Sequence, residues 1–328
     1  MNPSIYDVCG IGNAIVDVLA TTDEQFILDQ GLMKGGMMLI DEERAEYLYD
    51  FMGNATECSG GSVANTMAGI ASLGGMPAFI GKVKQDVLGE TFRHDMRSIG
   101  VHFDTIASIK GKATARCYIF VTPDAQRTMN TYIGACAEVS EEDINDALIG
   151  HSKITYVEGY LWDQPNAKAA IRKALTVAKA QHRKVAFSLS DVFCVERHRT
   201  EFLELITSHL DILFANEREL LSLMQVEDFD EALQKIRGLC PVAVITRSEK
   251  GSLVVTKENI ITMEAGKDLT VVDSTGAGDL YASGFLYGIT QDWDLKRCAS
   301  LGTKCASLII QQMGARPAKS LKSLISNN

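Results

Sequence analysis

Asp273-Ser274-Thr275-Gly276-Ala277-Gly278-Asp279 stands between an apolar run at 269–272 and the segment Leu280-Tyr281-Ala282-Ser283-Gly284-Phe285-Leu286. The run reads as the end of a strand and the segment as a helix, so the glycines fall in a strand-to-helix turn. Such a turn leaves several backbone N–H groups without partners and lets a ligand come close. The helix dipole adds positive potential there, which suits an anion. Asp279 is a poor neighbour for a resting anion. Its place makes sense if it takes a proton from a hydroxyl whose oxygen then attacks phosphorus. The turn is therefore read as holding charge on Gly276, Ala277 and Gly278 while Asp279 prepares the nucleophile.

Outward from this turn, short apolar runs alternate with longer helical patterns. Strands are predicted at 8–11, 78–80, 115–121, 154–158, 185–189, 212–215, 243–246 and 253–256, with amphipathic helices at 62–73, 165–181, 201–209, 217–224 and 229–239. From about residue 150 the alternation is regular βαβ, which implies a parallel sheet covered by helices on both faces. Ligands of such sheets bind at the carboxyl ends of the strands. The N-terminal half is less regular. Residues 14–39 contain the turn-prone Lys34-Gly35-Gly36, and the extended runs 115–121 and 127–133 flank Thr122-Pro123-Asp124-Ala125-Gln126, a hairpin candidate. These two excursions are expected to pair into a small sheet that covers the main one and excludes water, a competing phosphoryl acceptor.

The 328 residues are 46% hydrophobic and 23% charged, an ordinary globular composition with room for one or two domains. A net charge of −10 counts against non-specific nucleic-acid binding. The eight cysteines are scattered without a C-x-x-C pair, so zinc and a disulfide scaffold lose ground to reduced thiols in a cytoplasmic protein. Met1-Asn2-Pro3-Ser4-Ile5-Tyr6-Asp7 lacks the basic-then-apolar pattern of a signal peptide, and no apolar run reaches the ~20 residues of a membrane helix.

A second glycine cluster, Ser59-Gly60-Gly61-Ser62-Val63-Ala64-Asn65, opens a helix rich in small residues. Gly60 and Gly61 permit close backbone approach, and Ser62 and Asn65 offer polar groups one turn apart; alone, the cluster also reads as a plain helix cap. Asp17 follows the first strand, where a carboxylate can accept two hydrogen bonds from a vicinal diol, with a solvated turn aspartate as the equal alternative. Gly10-Ile11-Gly12 lacks the third glycine of a dinucleotide loop, and no Gly-x4-Gly-Lys-Ser/Thr occurs. Asn216-Glu217-Arg218-Glu219 has the form of a capping box, and Glu219 is also placed to help hold Mg²⁺. Thr246-Arg247-Ser248-Glu249-Lys250-Gly251 is either a phosphate-contacting turn or a hairpin turn. Arg127 either clamps a phosphate from the cover or is solvated. The histidines lack metal spacing, and no Gly-x-Ser-x-Gly elbow is present.

Gly60-Gly61-Ser62-Val63-Ala64-Asn65 and Asp273-Ser274-Thr275-Gly276-Ala277-Gly278-Asp279 resemble the two signatures of the ribokinase-like (PfkB) carbohydrate kinases, and the likeness spans nearly the whole chain. Within that family the chain most resembles the adenosine kinases. The supporting stretches are Gly12-Asn13-Ala14-Ile15-Val16-Asp17, Ser188-Leu189-Ser190 with Phe193, Asp211-Ile212-Leu213-Phe214-Ala215-Asn216-Glu217, and Ala306-Ser307-Leu308-Ile309-Ile310.

The resemblance implies a three-layer α/β/α fold with a mostly parallel central sheet and a small β-rich lid. Residues 1–13, 41–111 and 134–328 would form the large domain, and 14–40 with 112–133 the lid. It implies an alcohol-acceptor phosphotransferase that moves the ATP γ-phosphate to the 5′-hydroxyl of a purine nucleoside, adenosine giving AMP, with a ribose or fructose kinase as the alternative. Asp279 is similar to the family's base, Gly276-Ala277-Gly278 to its anion hole and Arg127 to its lid arginine. Asp17, Gly61 and Asn65 fall where the family holds ribose hydroxyls, with Gly60 beside them and Asn13 and Ser62 near the base. Met37, Leu39, Phe193 and the aromatic pair Tyr160 and Trp162, which flank Leu161, are the candidate walls of the base pocket. Asn216, Thr246, Ser248, Gly251, Thr275, Gly276 and Gly278 are the candidate ATP contacts, with Glu219 serving Mg²⁺; a monovalent cation such as K⁺ is a further option. The implied partners are the small nucleoside or sugar and ATP, with no nucleic acid and no membrane. A monomer is expected, with a homodimer through an apolar lid face as the alternative. Met37, within Gly35-Gly36-Met37-Met38-Leu39, stands where adenosine kinases carry a polar residue, so an apolar base pocket is expected.

Overall fold

The computed structural model describes residues 5–124 and 126–325. The N-terminal stretch Met1–Ser4, and Ala125 of the 122–126 loop, lie outside the described residues. In chain order the strands are β1 (Tyr6–Ile11), β2 (Ile15–Thr21), β3 (Met37–Leu39), β4 (Thr56–Gly60), β5 (Pro77–Ile80), β6 (Ala115–Val121) and β7 (Arg127–Tyr132). They continue as β8 (Ser152–Glu158), β9 (Lys184–Ser188), β10 (Ile212–Asn216), β11 (Val242–Thr246), β12 (Ser252–Val255) and β13 (Ile260–Met263).

The larger sheet has the order β13-β12-β11-β10-β9-β8-β1-β5. Its pairs from β5 to β11 are parallel, and β12 and β13 are added antiparallel at one edge. The inner strands are apolar on both faces because helices cover both. On one side Cys9, Val157, Phe187, Leu213 and Ile245 pack under the helices Pro165–Ala180, Val192–Ser208, Glu217–Met224 and Phe229–Ile236. On the other, Val8, Ile154, Ala186, Phe214 and Val244 meet the helices Ser62–Leu73 and Ala277–Thr290.

The smaller sheet runs β3-β7-β6-β2-β4. Here β2 alternates buried and half-buried positions, as a strand with one covered face must. Its inner residues join those of β6 beneath the helices Glu24–Asp29 and Glu42–Tyr49, with Phe26 4.9 Å from Phe120. The 115–121 and 127–133 runs do form an antiparallel pair, Val121 opposite Arg127. The strand Thr56–Gly60 also belongs to this sheet, although the expected division puts 41–111 in the large domain.

One expectation beside the opening motif fails. Residues 269–272 are irregular rather than a strand, and Val271 and Val272 are exposed. The segment is held by the Val272 and Asp273 amides on the Ile310 carbonyl instead of by a neighbouring strand. The helix after the turn is longer than predicted, Ala277–Thr290, and packs against the helices Ser62–Leu73 and Leu295–Ile309. The two glycine motifs are therefore brought face to face by helix packing.

Candidate active site

A cleft of about 380 Å³ opens at the carboxyl ends of β9, β10 and β11, between the larger sheet and the smaller one. That volume is within the usual small-molecule range of ~300–1,000 Å³. Ser188, Asn216 and Thr246, the last residues of their strands, form one wall. Asp17, Ile119 and Met129 of the smaller sheet form the opposite one, and the 274–279 turn closes the floor.

Gly276 is the N-cap of the helix Ala277–Thr290 with φ 77°, a left-handed conformation that side chains other than glycine adopt at a cost. A Cβ there would also sit 2.6 Å from that of Ala315. At Gly278 a Cβ would meet no protein atom, so this edge of the turn is open to a ligand. The Ala277 amide is already used, donating to the Ser274 carbonyl at 3.2 Å, so the amides free to meet a ligand narrow to its neighbours in the first turn.

Asp279 accepts from Ser62 Oγ at 2.6 Å and from Asn65 Nδ2 at 2.9 Å. Burial raises its carboxyl above the usual range, while these two hydrogen bonds and the Arg316 charge pull it back. Asn65 Oδ1 is buried and has no hydrogen-bond partner among the described residues. Asp17 lies in mid-strand on β2, not at the end of the first strand, with Cys58 and Cys117 as its neighbours across the sheet. Burial pushes its carboxyl up to about 6, against the Arg316 and Arg127 charges and with the help of Asp279. Gly60 gives the Asp17 carboxylate its space, and Gly61, at φ 94°, lies so close to the Asn13 carbonyl that no side chain fits. Arg127 reaches across from β7: Nη1 is 2.6 Å from Asp273 Oδ2 and 3.1 Å from Thr275 Oγ1, while Nε and Nη2 are buried and have no partner among the described residues.

Residues 41–321 match the model of the pfkB family carbohydrate kinases. The chain belongs to the PfkB family. It is 51% identical to the solved adenosine kinase from Sinorhizobium meliloti, over 98% of this chain and 99% of that one, with a TM-score of 0.92. A structure described as a probable sugar kinase protein from Rhizobium etli CFN 42 is 47% identical over 99% and 98%, with a TM-score of 0.93. The 5-dehydro-2-deoxygluconokinase of Halalkalibacterium halodurans is 26% identical over 310 residues, 91% of this chain and 92% of its own. This PfkB protein is thus a kinase of sugars or nucleosides.

Elsewhere in the PfkB cleft, Asn216 and Glu219 form the capping box and line the cleft as well. Glu219 Oε2 and Oε1 accept from the Asn216 amide at 3.0 Å and from its Nδ2 at 2.6 Å, and burial lifts the Glu219 carboxyl to about 7. Among the described residues no three His, Cys, Asp or Glu side chains converge on a metal position. Magnesium carried on substrate phosphates needs only one or two protein carboxylates, and Glu219 fits that mode. Thr246 and Thr275 line the cleft, but Ser248 and Gly251 do not. They belong to the hairpin turn between the antiparallel β11 and β12, where Ser248 is exposed.

The expected base walls are corrected more strongly. Trp162 is wholly buried, edge-on to Phe187 and Phe202, and bonded through Nε1 to Glu201. It is core, and Tyr160, two residues earlier, faces the cleft in its place. Phe193 is 67% exposed at the start of its helix and does not line the cleft. Met37 and Leu39 lie on the edge strand β3, 40% and 61% exposed. Met37 is opposite Met129, so it shares the cleft-side face one strand too far out.

Asn13 is buried behind the cleft, where its amide and Nδ2 both donate to Glu158, at 2.9 and 2.7 Å. Glu158 is one residue that motif reading missed, although it ends a predicted strand at the ligand-binding edge. Arg316 is another, and no sequence signal marks it. It donates to the Ser59 and Ala64 carbonyls at 3.0 and 2.7 Å and supplies positive charge to Asp17 and Asp279.

Proposed function

We propose that this kinase transfers the γ-phosphoryl group of ATP to the 5′-hydroxyl of a purine nucleoside, adenosine first. The observation that carries the reading is the apolar pair Ile119 and Met129 on the same sheet face as Asp17. A free sugar needs the carboxylate alone, whereas a nucleoside also needs a flat apolar wall beyond it. Asp17 accepts from the ribose diol, and Asn65 helps to orient the ribose. Asp279 takes the 5′-hydroxyl proton, the oxygen bonds to phosphorus, and the bridging oxygen leaves on ADP with its electron pair. The first-turn amides and Arg127 hold the charge on the transferring group. Magnesium beside Glu219 would supply further charge neutralisation on the phosphates. In this reading the smaller sheet is a lid and the enzyme a cytoplasmic monomer, a setting consistent with eight free thiols.

ADP formation measured with adenosine, guanosine, inosine, ribose and fructose side by side tests the proposal. Adenosine should give the highest kcat/KM; preference for a free sugar would replace the reading with the sugar kinase suggested by the second relative's description. Asp17→Asn should lower kcat/KM for the preferred acceptor roughly 10–100-fold, chiefly through KM, since hydrogen bonds to a charged group are worth about 1.5–3 kcal/mol. Because Asp17 must be ionised to accept both hydroxyls and its carboxyl sits up at about 6, wild-type kcat/KM should fall as pH drops through that value. The groups that face it are Arg316, Arg127 and Asp279, with Cys58 and Cys117 alongside. A profile flat from pH 8 to pH 5 would contradict this role.

A further inference from the structure

Arg127 is nine-tenths buried yet only one of its terminal nitrogens is engaged. Nη1 is shared by Asp273 and Thr275. Nε and Nη2, the parallel pair that matches two oxygens of a phosphate, have no hydrogen-bond partner among the described residues. An orphaned, buried half-guanidinium is costly unless a ligand completes it. Asp273 is equally enclosed, and its other contacts are rigid: Oδ1 accepts from the Thr275 amide at 3.0 Å and Oδ2 from the Gly314 amide at 2.8 Å. The carboxylate is therefore fixed to the anion turn on one side and to the guanidinium on the other.

We propose that Asp273 is a positioning residue for phosphoryl transfer: it grips the Nη1 corner of Arg127 and presents the Nε/Nη2 edge to the transferring phosphoryl group. The same contact fastens the smaller sheet to the anion turn, since Arg127 is the first residue of β7. This rests on the kinase chemistry proposed above, but not on which acceptor is used. During transfer the acceptor O–H proton goes to Asp279, phosphorus gains the acceptor oxygen, and the bridging oxygen departs on ADP with its bonding pair. The non-bridging oxygens of the group in flight are what the free edge of Arg127 meets. A lysine could supply charge at this position but not the paired donors.

The test is a double-mutant cycle on kcat with whichever acceptor the wild-type enzyme prefers, so that a wrong acceptor assignment leaves it intact. Arg127→Gln should cost roughly 10²–10³-fold in kcat, the scale of one preorganised charge donor. Asp273→Asn should cost at least about tenfold in wild type, with acceptor KM unchanged, and little or nothing more in the Arg127→Gln background. Losses that multiply would overturn the proposal and leave Asp273 a structural cap of the turn. So would Asp273→Asn at full kcat. If Asp273→Asn does not fold, Asp273→Glu, which keeps the charge but displaces it by a methylene, is read in the same cycle with the same two outcomes.

Discussion

Asp279→Asn should lower kcat by at least ~10²-fold, and up to ~10⁴-fold, with little change in acceptor KM. That factor corresponds to about 3–5 kcal/mol in the barrier. The substitution keeps the size of the side chain and one acceptor oxygen for Ser62 or Asn65, so the fold and the cleft should persist. What it removes is the proton acceptor beside the anion turn. Burial, the largest influence on Asp279, raises its carboxyl, which brings the base nearer to working pH. Wild-type kcat should accordingly fall as acid protonates Asp279, and the residual rate of the variant should lack that limb. Retention of kcat within tenfold, with the acid limb intact, would remove Asp279 from the role of base.

The parts legible in sequence were those whose physics is local. The helices Ser62–Leu73 and Glu217–Met224 and the strand Ala115–Val121 coincide with their predicted spans, because capping residues and apolar runs set their ends. Asp279, Gly276, Gly61 and Asn65 converge because turn chemistry and helix starts marked them. What escaped was set by tertiary contacts. The 269–272 run is apolar enough for a strand, but among the described residues no strand pairs with it, and its end is held by the Ile310 carbonyl. Trp162 and Tyr160 are two residues apart in the short helix Gly159–Asp163, and which of them faces the cleft depends on the packing of Phe187 and Phe202. Ile119 and Met129 look like any strand residues until the register of β6, β7 and β2 turns them to the face that carries Asp17. Arg316 acts on Asp17 and Asp279 from near the far end of the chain, and no spacing rule connects them.

Glu158→Ala should destabilise the protein more than any substitution on the open side of the cleft, although Glu158 touches no open space. Its carboxylate accepts from the Asn13 amide at 2.9 Å, from Asn13 Nδ2 at 2.7 Å and from the Val63 amide at 2.9 Å. It thereby ties the loop after β1 and the first turn of the helix Ser62–Leu73 to the end of β8. Truncation orphans three buried donors at about 1–3 kcal/mol each, so a loss of roughly 3–6 kcal/mol is expected after partial relaxation. For a chain of this size that is a fall in Tm of roughly 4–9 °C. Acceptor affinity should fall with it, because Asn13 and Gly61 pack against each other behind the substrate side. Burial lifts the Glu158 carboxyl to about 7, opposed by its three donors and aided by the Asp279 charge, against ~4.3 in an unfolded chain. A raised carboxyl contributes stability that is full below the unfolded value and is lost as pH rises through about 7. The Tm of wild type relative to the non-titrating Glu158→Gln variant should therefore decline between pH 5 and pH 8. Other titrating groups are common to both proteins and cancel in the difference. A gap that widens with pH would mean that the three donors, rather than burial, govern the carboxylate, and an Ala variant as stable as wild type would mean that the loop and the helix are held together by something other than Glu158.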